Sequence, residues 1–497
     1  MMTEEQMDII NTEPTKEHAL RVRAFAGTGK TTLLREYARA RSGVRTTYVT
    51  FNRALKEAAE KEMPSSVRSS TVHSMAFRVV GRHYSDKTLL VNEIWLKTAA
   101  RALGTQDYKT VFLALETLKS YLSSVDMEIG TGHVPVLVTL SGSNEKLLAK
   151  IVDMAKSVWD MAKSFKNRDI GMTHNGYLKM YQLKGVDEYR GLMLVDEAQD
   201  LTPCMWSVLD RQQARKVIVG DDYQTLYAWN GAGGVLSSIN TVQELDKRLT
   251  RSFRFGQEIA DVATQLLQVT RGEEGRLMGN PDLDTKLEVI GEQRGCPRGG
   301  MVLCRGNAEI FRSAVRTTEV GKIFIEGGTG GVGFSRISDI GHLLTGDRDF
   351  ISDPFISTFG DIDELFAFAE AVNLPHIMGC CELVKRYREG IHDVINRVKA
   401  AVVSEGHADI RYSTVHKAKG KEWPVVCLAR DMERIVTLAA GRGDTENVPE
   451  LSDDFVNILY VALTRGTHRV LCPEILLEFA ERGYEMLGKR KGVSCEV

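Results

Sequence analysis

Two short stretches carry the residue types that phosphate chemistry needs. The first is Ala24-Phe25-Ala26-Gly27-Thr28-Gly29-Lys30-Thr31-Thr32, preceded by the alternating run ALRVRA and followed by a segment of helix-forming character at 30–41. Backbone N–H groups of such a turn cradle phosphate oxygens, and the N-terminus of the following helix adds a favourable field. Lys30 offers a compact positive charge to a transferring phosphoryl group, and the Thr31 hydroxyl suits Mg²⁺. Ala24 occupies the first glycine place of the pattern G-x-x-x-x-G-K-[ST], so the match leans on its strand–turn–helix context. A glycine-rich turn with a chance lysine is the competing reading. In the second stretch the apolar run Leu192-Met-Leu-Val195 ends in Asp196-Glu197-Ala198-Gln199-Asp200. A strand ending in adjacent carboxylates suits a metal ligand, Asp196, beside a water-activating base, Glu197. An acidic helix N-cap would look the same in isolation, because carboxylates suit that end of a helix. The two stretches together favour phosphate hydrolysis.

These residues need elements to hold them. Short apolar runs at 19–24, Thr47–Thr50, Leu192–Val195, Val217–Val219, Met301–Leu303 and Pro424–Leu428 read as buried strands. Helical segments separate them, which implies parallel sheets with ligands at the strand C-termini. The expected fold class is α/β. Residues 86–186 are rich in Leu, Lys, Ala and Met and read as a helical insertion, and 361–402 as a second one. The glycine run of Glu326–Phe334 lacks a following Lys-Ser/Thr and reads as a turn or hinge.

Composition bounds the remaining possibilities. The 497 residues suggest about three or four structural units. Apolar residues make up 43% and charged residues 26%, as in ordinary globular chains. Lys+Arg 64 against Asp+Glu 66 excludes a globally basic nucleic-acid coat but leaves room for a basic groove. The eight cysteines form no C-x-x-C pair, and free thiols in a reducing compartment are expected. The N-terminal MMTEEQMDII has no basic n-region, and no run of about 18 apolar residues occurs, so a cytoplasmic, nucleoid-associated or nuclear protein is expected.

Further segments follow in a fixed order. They are Phe51-Asn52, Thr71-Val-His73, Gly220-Asp-Asp-Tyr-Gln224-Thr-Leu-Tyr227-Ala-Trp229-Asn230-Gly-Ala232, Ser252-Phe253-Arg254, Thr414-Val-His416-Lys-Ala-Lys-Gly-Lys-Glu422 and Tyr460-Val-Ala-Leu-Thr464-Arg465. With the two phosphate-chemistry stretches, this series resembles the superfamily 1 helicases of the UvrD/Rep type. Its wording is most like the helicase region of the F-box DNA helicases, without an F-box segment, and the resemblance runs from Gln6 to about Arg469. It implies two RecA-like parallel-sheet domains with helical insertions in each. The expected boundaries are 1–80 and 189–255 for the first core domain around an insertion at 81–188. The second core domain would span 256–340 and 406–497, around a reduced accessory insertion at 341–405.

The resemblance also implies roles. Gln6 would read adenine, since an amide pairs with both a donor and an acceptor. Residues 26–32 would bind ATP with Mg²⁺ on Thr31 and Asp196; Gln224 would sense the γ-phosphate. Phe253 stands where the family has a tyrosine stacked on adenine, and Glu422 would hold the ribose. Arg254 and Arg465 would clamp the transition state. Phe51, Asn52, Thr71, His73, Tyr227, Trp229, Thr414 and His416 would touch single-stranded DNA, the aromatic residues by stacking. Asn230 replaces a family arginine.

The implied activity is a 3′→5′ translocase working as a monomer on single-stranded and tailed duplex DNA. A single-strand-binding or recombinase protein would be a displaced partner. Only 160 residues separate Arg254 from Thr414 and 32 follow Arg465, with no turn-rich hairpin among them, so translocation is expected more firmly than unwinding. An ATP-gated binding module without processive motion and an RNA-directed helicase are the alternatives, because stacking does not read the 2′-OH.

Overall fold

Strands β1 (Leu20–Ala24), β2 (Thr46–Thr50), β3 (Val67–Thr71), β4 (Leu192–Val195), β5 (Arg215–Gly220) and β6 (Asp246–Leu249) form one six-stranded sheet in the order β3-β2-β4-β5-β1-β6. The registered pairs β1–β5, β2–β3, β2–β4 and β4–β5 are all parallel. The computed structural model describes residues 2–51, 53–87, 89–135, 145–165, 169–227, 231, 233–290, 296–319, 321–433, 436 and 451–481. Every residue of β2 and β4 is buried, which explains why these strands read as continuous apolar or β-branched runs. The expected strands all form.

This sheet belongs to a first unit comprising Met1–Arg23, Lys30–Arg248 and Gly346–Pro375. Helices Leu96–Ala102, Tyr108–Ser123, Glu145–Lys163 and His174–Lys184 lie between β3 and β4 in the chain. The last begins at Thr173, whose hydroxyl accepts from Gly176 N–H, and stops at Gly185 with φ 66°. Residues 346–375 pack within the same unit. Phe355 stacks on Phe112 with ring centroids 4.7 Å apart, and Lys109 Nζ pairs with Glu364 at 2.5 Å.

The second unit comprises Ala24–Gly29, Leu249–Thr345 and His376–Val497. Strands β7 (Lys286–Val289), β8 (Met301–Cys304), β9 (Ile323–Ile325), β10 (Ile410–Thr414), β11 (Trp423–Leu428) and β12 (Gly466–Cys472) form its sheet in the order β7-β12-β11-β8-β10-β9. All five pairings are parallel. The fold is therefore α/β with two RecA-like parallel sheets. Helices Gln257–Arg271, Asn307–Thr317 and Asp453–Leu463 belong to this unit. The second helical stretch is shared: Ile362–Ala371 belongs to the first unit, while Pro375–Tyr387, from His376 on, and Ile391–Ala401 belong to the second.

Two expectations change here. Cys296 and Cys427 are disulfide-bonded, with Cα atoms 5.9 Å apart, while Cys204, Cys304, Cys380, Cys381 and Cys472 are buried and outside any disulfide. The sheet brings the pair together across 131 residues of chain, a proximity that local cysteine spacing does not encode. The glycine run at 326–334 is more than a turn. Gly327, Gly328 and Gly333 take positive φ, but Gly328–Val332 closes a short helix, and Lys417 Nζ holds it by donating to the carbonyls of Glu326 and Gly331.

Candidate nucleotide and nucleic-acid sites

The phosphate loop leaves β1 and enters helix Lys30–Arg39. Gly27 and Gly29 have φ of 75° and 78°, a region open to glycine without steric cost. Thr28 is buried and donates its hydroxyl to Phe25 O at 2.8 Å, which closes the turn internally. Ala26, Gly27, Thr28 and Gly29 thus form a tight backbone arc ahead of Lys30, with Thr31 and Thr32 in the first helical turn.

The acidic stretch meets this helix inside the first unit. Thr31 Oγ1 donates to Asp196 Oδ2 at 2.9 Å, and Tyr48 Oη donates to the same oxygen at 2.7 Å. Lys30 Nζ lies 3.8 Å from Glu197 Oε1. Burial pushes the Asp196 carboxyl up, Glu197 pushes it further, and Tyr48, Lys30 and Thr31 oppose them. A bound cation opposes such a rise, so the oxygen pair Thr31–Asp196 fits a hard divalent ion. Glu197 has φ 54°, unusual for a residue with a side chain, and its N–H donates to Asp196 Oδ1 at 2.9 Å. This backbone turn separates the directions of the two adjacent carboxylates.

A second layer extends from Glu197. Gln199 Nε2 donates to Glu197 Oε2, and Gln199 Oε1 accepts from Asp221 N–H at 3.0 Å. Gln224 Nε2 donates to Asp221 Oδ2 at 2.6 Å. Burial pushes Asp221 up to about 6, against the pull of Lys30 and the Gln224 hydrogen bond. Gln224 is thereby connected to the acidic pair through Asp221 and Gln199. Sequence reading singled out neither of these two residues for a role, although both stand inside the quoted stretches. Tyr48 gave no local signal; its position follows from β2 lying beside β4.

Gln6 is 2% exposed and forms a capping box with Thr3, each side chain accepting from the other's backbone N–H. Its placement thus has a helix-capping cause besides any adenine contact.

Phe51, Thr71 and His73 line one groove of about 1090 Å³ on the first unit. Arg53, Lys56, Arg68 and Arg78 supply its positive charges, and Phe77 and Tyr177 add aromatic surface. Thr71 caps the following helix by accepting from Ser74 N–H at 3.1 Å. His73 Nε2 lies 3.0 Å from Asn175 Oδ1, and burial pushes its imidazole below the usual value. Tyr227 stacks on Phe51 with centroids 5.7 Å apart and planes 22° from parallel. Asn52 and Trp229 lie outside the described residues, as does Asn230.

In the second unit Arg254 Nε pairs with Glu422 at 2.8 Å, and Arg254 Nη1 donates to Thr464 O at 3.2 Å. Arg465 is 1% exposed; its guanidinium donates to Val461 O at 3.0 Å and to Thr464 Oγ1 at 3.3 Å. The Phe253 side chain is exposed, while its backbone N–H donates to Gly27 O at 2.8 Å. Thr414 caps a short helix through Lys417 N–H at 3.3 Å, and His416 follows on that helix.

Two six-stranded parallel sheets, with a glycine-bearing turn after β1 and carboxylates at the end of β4, give an α/β protein of RecA-like architecture. The family model described as "AAA domain" matches residues 6–230. The chain is 30% identical to F-box DNA helicase 1 of Gallus gallus over 99% of its own length and 52% of that protein. It is 28% identical to F-box DNA helicase protein 1 of Schizosaccharomyces pombe over 95% of its length and 57% of that protein. The chain spans about half the length of these two curated relatives.

Proposed function

We propose that the chain is an ATP-dependent DNA motor that moves 3′→5′ on single strands and thereby separates duplexes or displaces bound proteins. The observation that supports this most is the set Lys30, Thr31, Asp196 and Glu197 in the same unit as the groove bearing Phe51, Thr71 and His73. In this reading Lys30 binds the terminal phosphate of ATP, and the loop N–H groups of residues 26–32 orient the phosphate chain. Thr31 and Asp196 would hold Mg²⁺, which when bound neutralises phosphate charge. Glu197 orients and deprotonates the attacking water, with Gln199 fixing the carboxylate through its amide. Arg254 and Arg465 stabilise charge on the transferred group, and Glu422 and Phe253 hold ribose and adenine.

Gln224, joined to Glu197 by way of Asp221 and Gln199, passes the nucleotide state toward Tyr227. Phe51 and Tyr227 stack on bases, contacts worth about 1–3 kcal/mol per base and tolerant of sequence. Thr71, His73, Thr414 and His416 position the backbone. The RecA-like fold and the relatives' printed names, both of DNA helicases, support the substrate class.

The test is ATP hydrolysis with and without single-stranded DNA, followed by unwinding of duplexes with a 3′ or a 5′ tail. DNA-stimulated hydrolysis and unwinding of 3′-tailed substrate are expected. Preference for a 5′ tail would overturn the direction, and preference for RNA the substrate. ATP-dependent DNA binding without turnover would leave a clamp instead of a motor.

A further inference from the structure

The phosphate loop is held by a side chain from a distant part of the sequence. Ala26 N–H donates to Tyr460 Oη at 2.9 Å, across 434 residues of chain, with both groups buried. Tyr460 is 0% exposed and lies in helix Asp453–Leu463, directly ahead of Thr464-Arg465. The other end of the residue is also engaged. The Tyr460 carbonyl accepts from Thr464 Oγ1 at 2.8 Å and from Thr464 N–H at 3.1 Å. Thr464 O in turn accepts from Arg254 Nη1, and Thr464 Oγ1 accepts from Arg465 Nη2. An unbroken hydrogen-bonded path therefore runs from the loop amide through one tyrosine to both arginines.

We infer that Tyr460 is a positioning residue for hydrolysis, through which the phosphate loop is set relative to Arg254 and Arg465. This role rests on the ATPase reading above. The Ala26 amide cannot turn to water, since it is buried, and a buried unpaired donor is costly, so the hydroxyl fixes the loop's entry. The phenol ring occupies a fully buried site, which anchors the hydroxyl in one place. The contact itself is made by the neutral Tyr460 hydroxyl oxygen to the loop's Ala26 N–H, four residues ahead of Lys30 in the chain. It sets geometry instead of supplying binding charge, so its loss falls on turnover before affinity.

Tyr460→Phe removes only the oxygen. In DNA-stimulated hydrolysis, kcat should fall at least tenfold while the dissociation constant of a fluorescent ADP analogue changes less than threefold. Hydrogen exchange of peptides spanning 24–29 should quicken, and the melting temperature should fall by a few degrees because the buried amide is left unpaired. Tyr412→Phe is the control: this tyrosine is also buried in the second unit, and its hydroxyl meets Thr317 Oγ1 at 2.6 Å away from the loop. It should retain wild-type kcat. Wild-type kcat in Tyr460→Phe overturns the positioning role, as does unchanged exchange at 24–29. An equal loss of kcat in both variants overturns it too, because it would mark a general effect of hydroxyl removal. A wild-type protein without ATPase activity would instead sink the functional reading, and this role with it.

Discussion

At the scale of single residues, the two strand-end carboxylates meet different partners. Asp196 accepts from Thr31 and Tyr48 and is 2% exposed, whereas Glu197 is turned by its positive φ toward Lys30 and Gln199. Glu197→Gln keeps the shape and removes the carboxylate that the proposed mechanism uses as its base. ATP binding should remain within a few-fold of wild type, with kcat reduced about 10²–10⁴-fold, the usual worth of a general base. Normal turnover in single-turnover hydrolysis would remove Glu197 from that role. A second carboxylate makes a prediction about stability. Asp431 accepts from the N–H groups of Arg305 and Gly306, and burial, then Glu309, pushes it up to about 7. Because the folded value is raised, its contribution is fully present below the unfolded carboxylate value and is lost as pH rises through about 7. Asp431→Asn keeps an acceptor oxygen and cannot ionise. Melting temperatures between pH 5 and 8 should fall with pH by a few degrees more in wild type than in the variant, at roughly 2–4 °C per kcal/mol. Parallel curves would show that Asp431 does not carry the effect.

At the scale of elements, the phosphate loop is constrained from outside as well as within. A Cβ on Gly27 would collide with Ser252 Oγ and come within 2.9 Å of Arg254 Cβ, at a φ of 75° that disfavours any side chain. Gly27→Ala should therefore move the loop or the Ser252–Arg254 segment. Nucleotide affinity is expected to fall at least tenfold, with a stability loss of about 1–3 kcal/mol from the strained backbone. Titration of the purified variant with an ADP analogue reads the first, and chemical denaturation the second; wild-type affinity would show that the loop tolerates the clash. The same element shows what sequence could and could not give. Gly27, Gly29 and Lys30 were legible because backbone freedom and charge are local properties. The Ser252, Phe253 and Tyr460 contacts were not, since they depend on chain segments more than 200 residues away. β4 was legible because burial on both faces forces an apolar run. β3 was not: its residues VRSST serve an edge position and give no such run. The Cys296–Cys427 pair was missed for the same long-range reason.

At the scale of the whole molecule, a formal net charge of -2 gives no general attraction to nucleic acid. Binding to a polyanion must then come from the local arrangement of charge. The groove on the first unit supplies Arg53, Lys56, Arg68 and Arg78, while Glu57 and Glu60 pair with Arg53 and Lys56 on its wall. Exposed pairs of this kind contribute little to stability, so a phosphate can displace a carboxylate at small cost. Each phosphate neutralised on a single strand contributes about −0.7 to the slope of log affinity against log salt concentration. Engagement of all four cations therefore sets a limit of about −3 for this groove. Arg68→Ala should weaken binding similarly for all base sequences and make the slope shallower by about 0.7. The aromatic pair behaves differently. Removing the Phe51 ring by Phe51→Ala should weaken binding by about 1–3 kcal/mol while leaving the slope unchanged, because stacking releases no counterions. Fluorescence anisotropy with labelled oligonucleotides at several salt concentrations separates the two terms. If Arg68→Ala left the slope intact while Phe51→Ala altered it, the groove would not be the surface that tracks the strand.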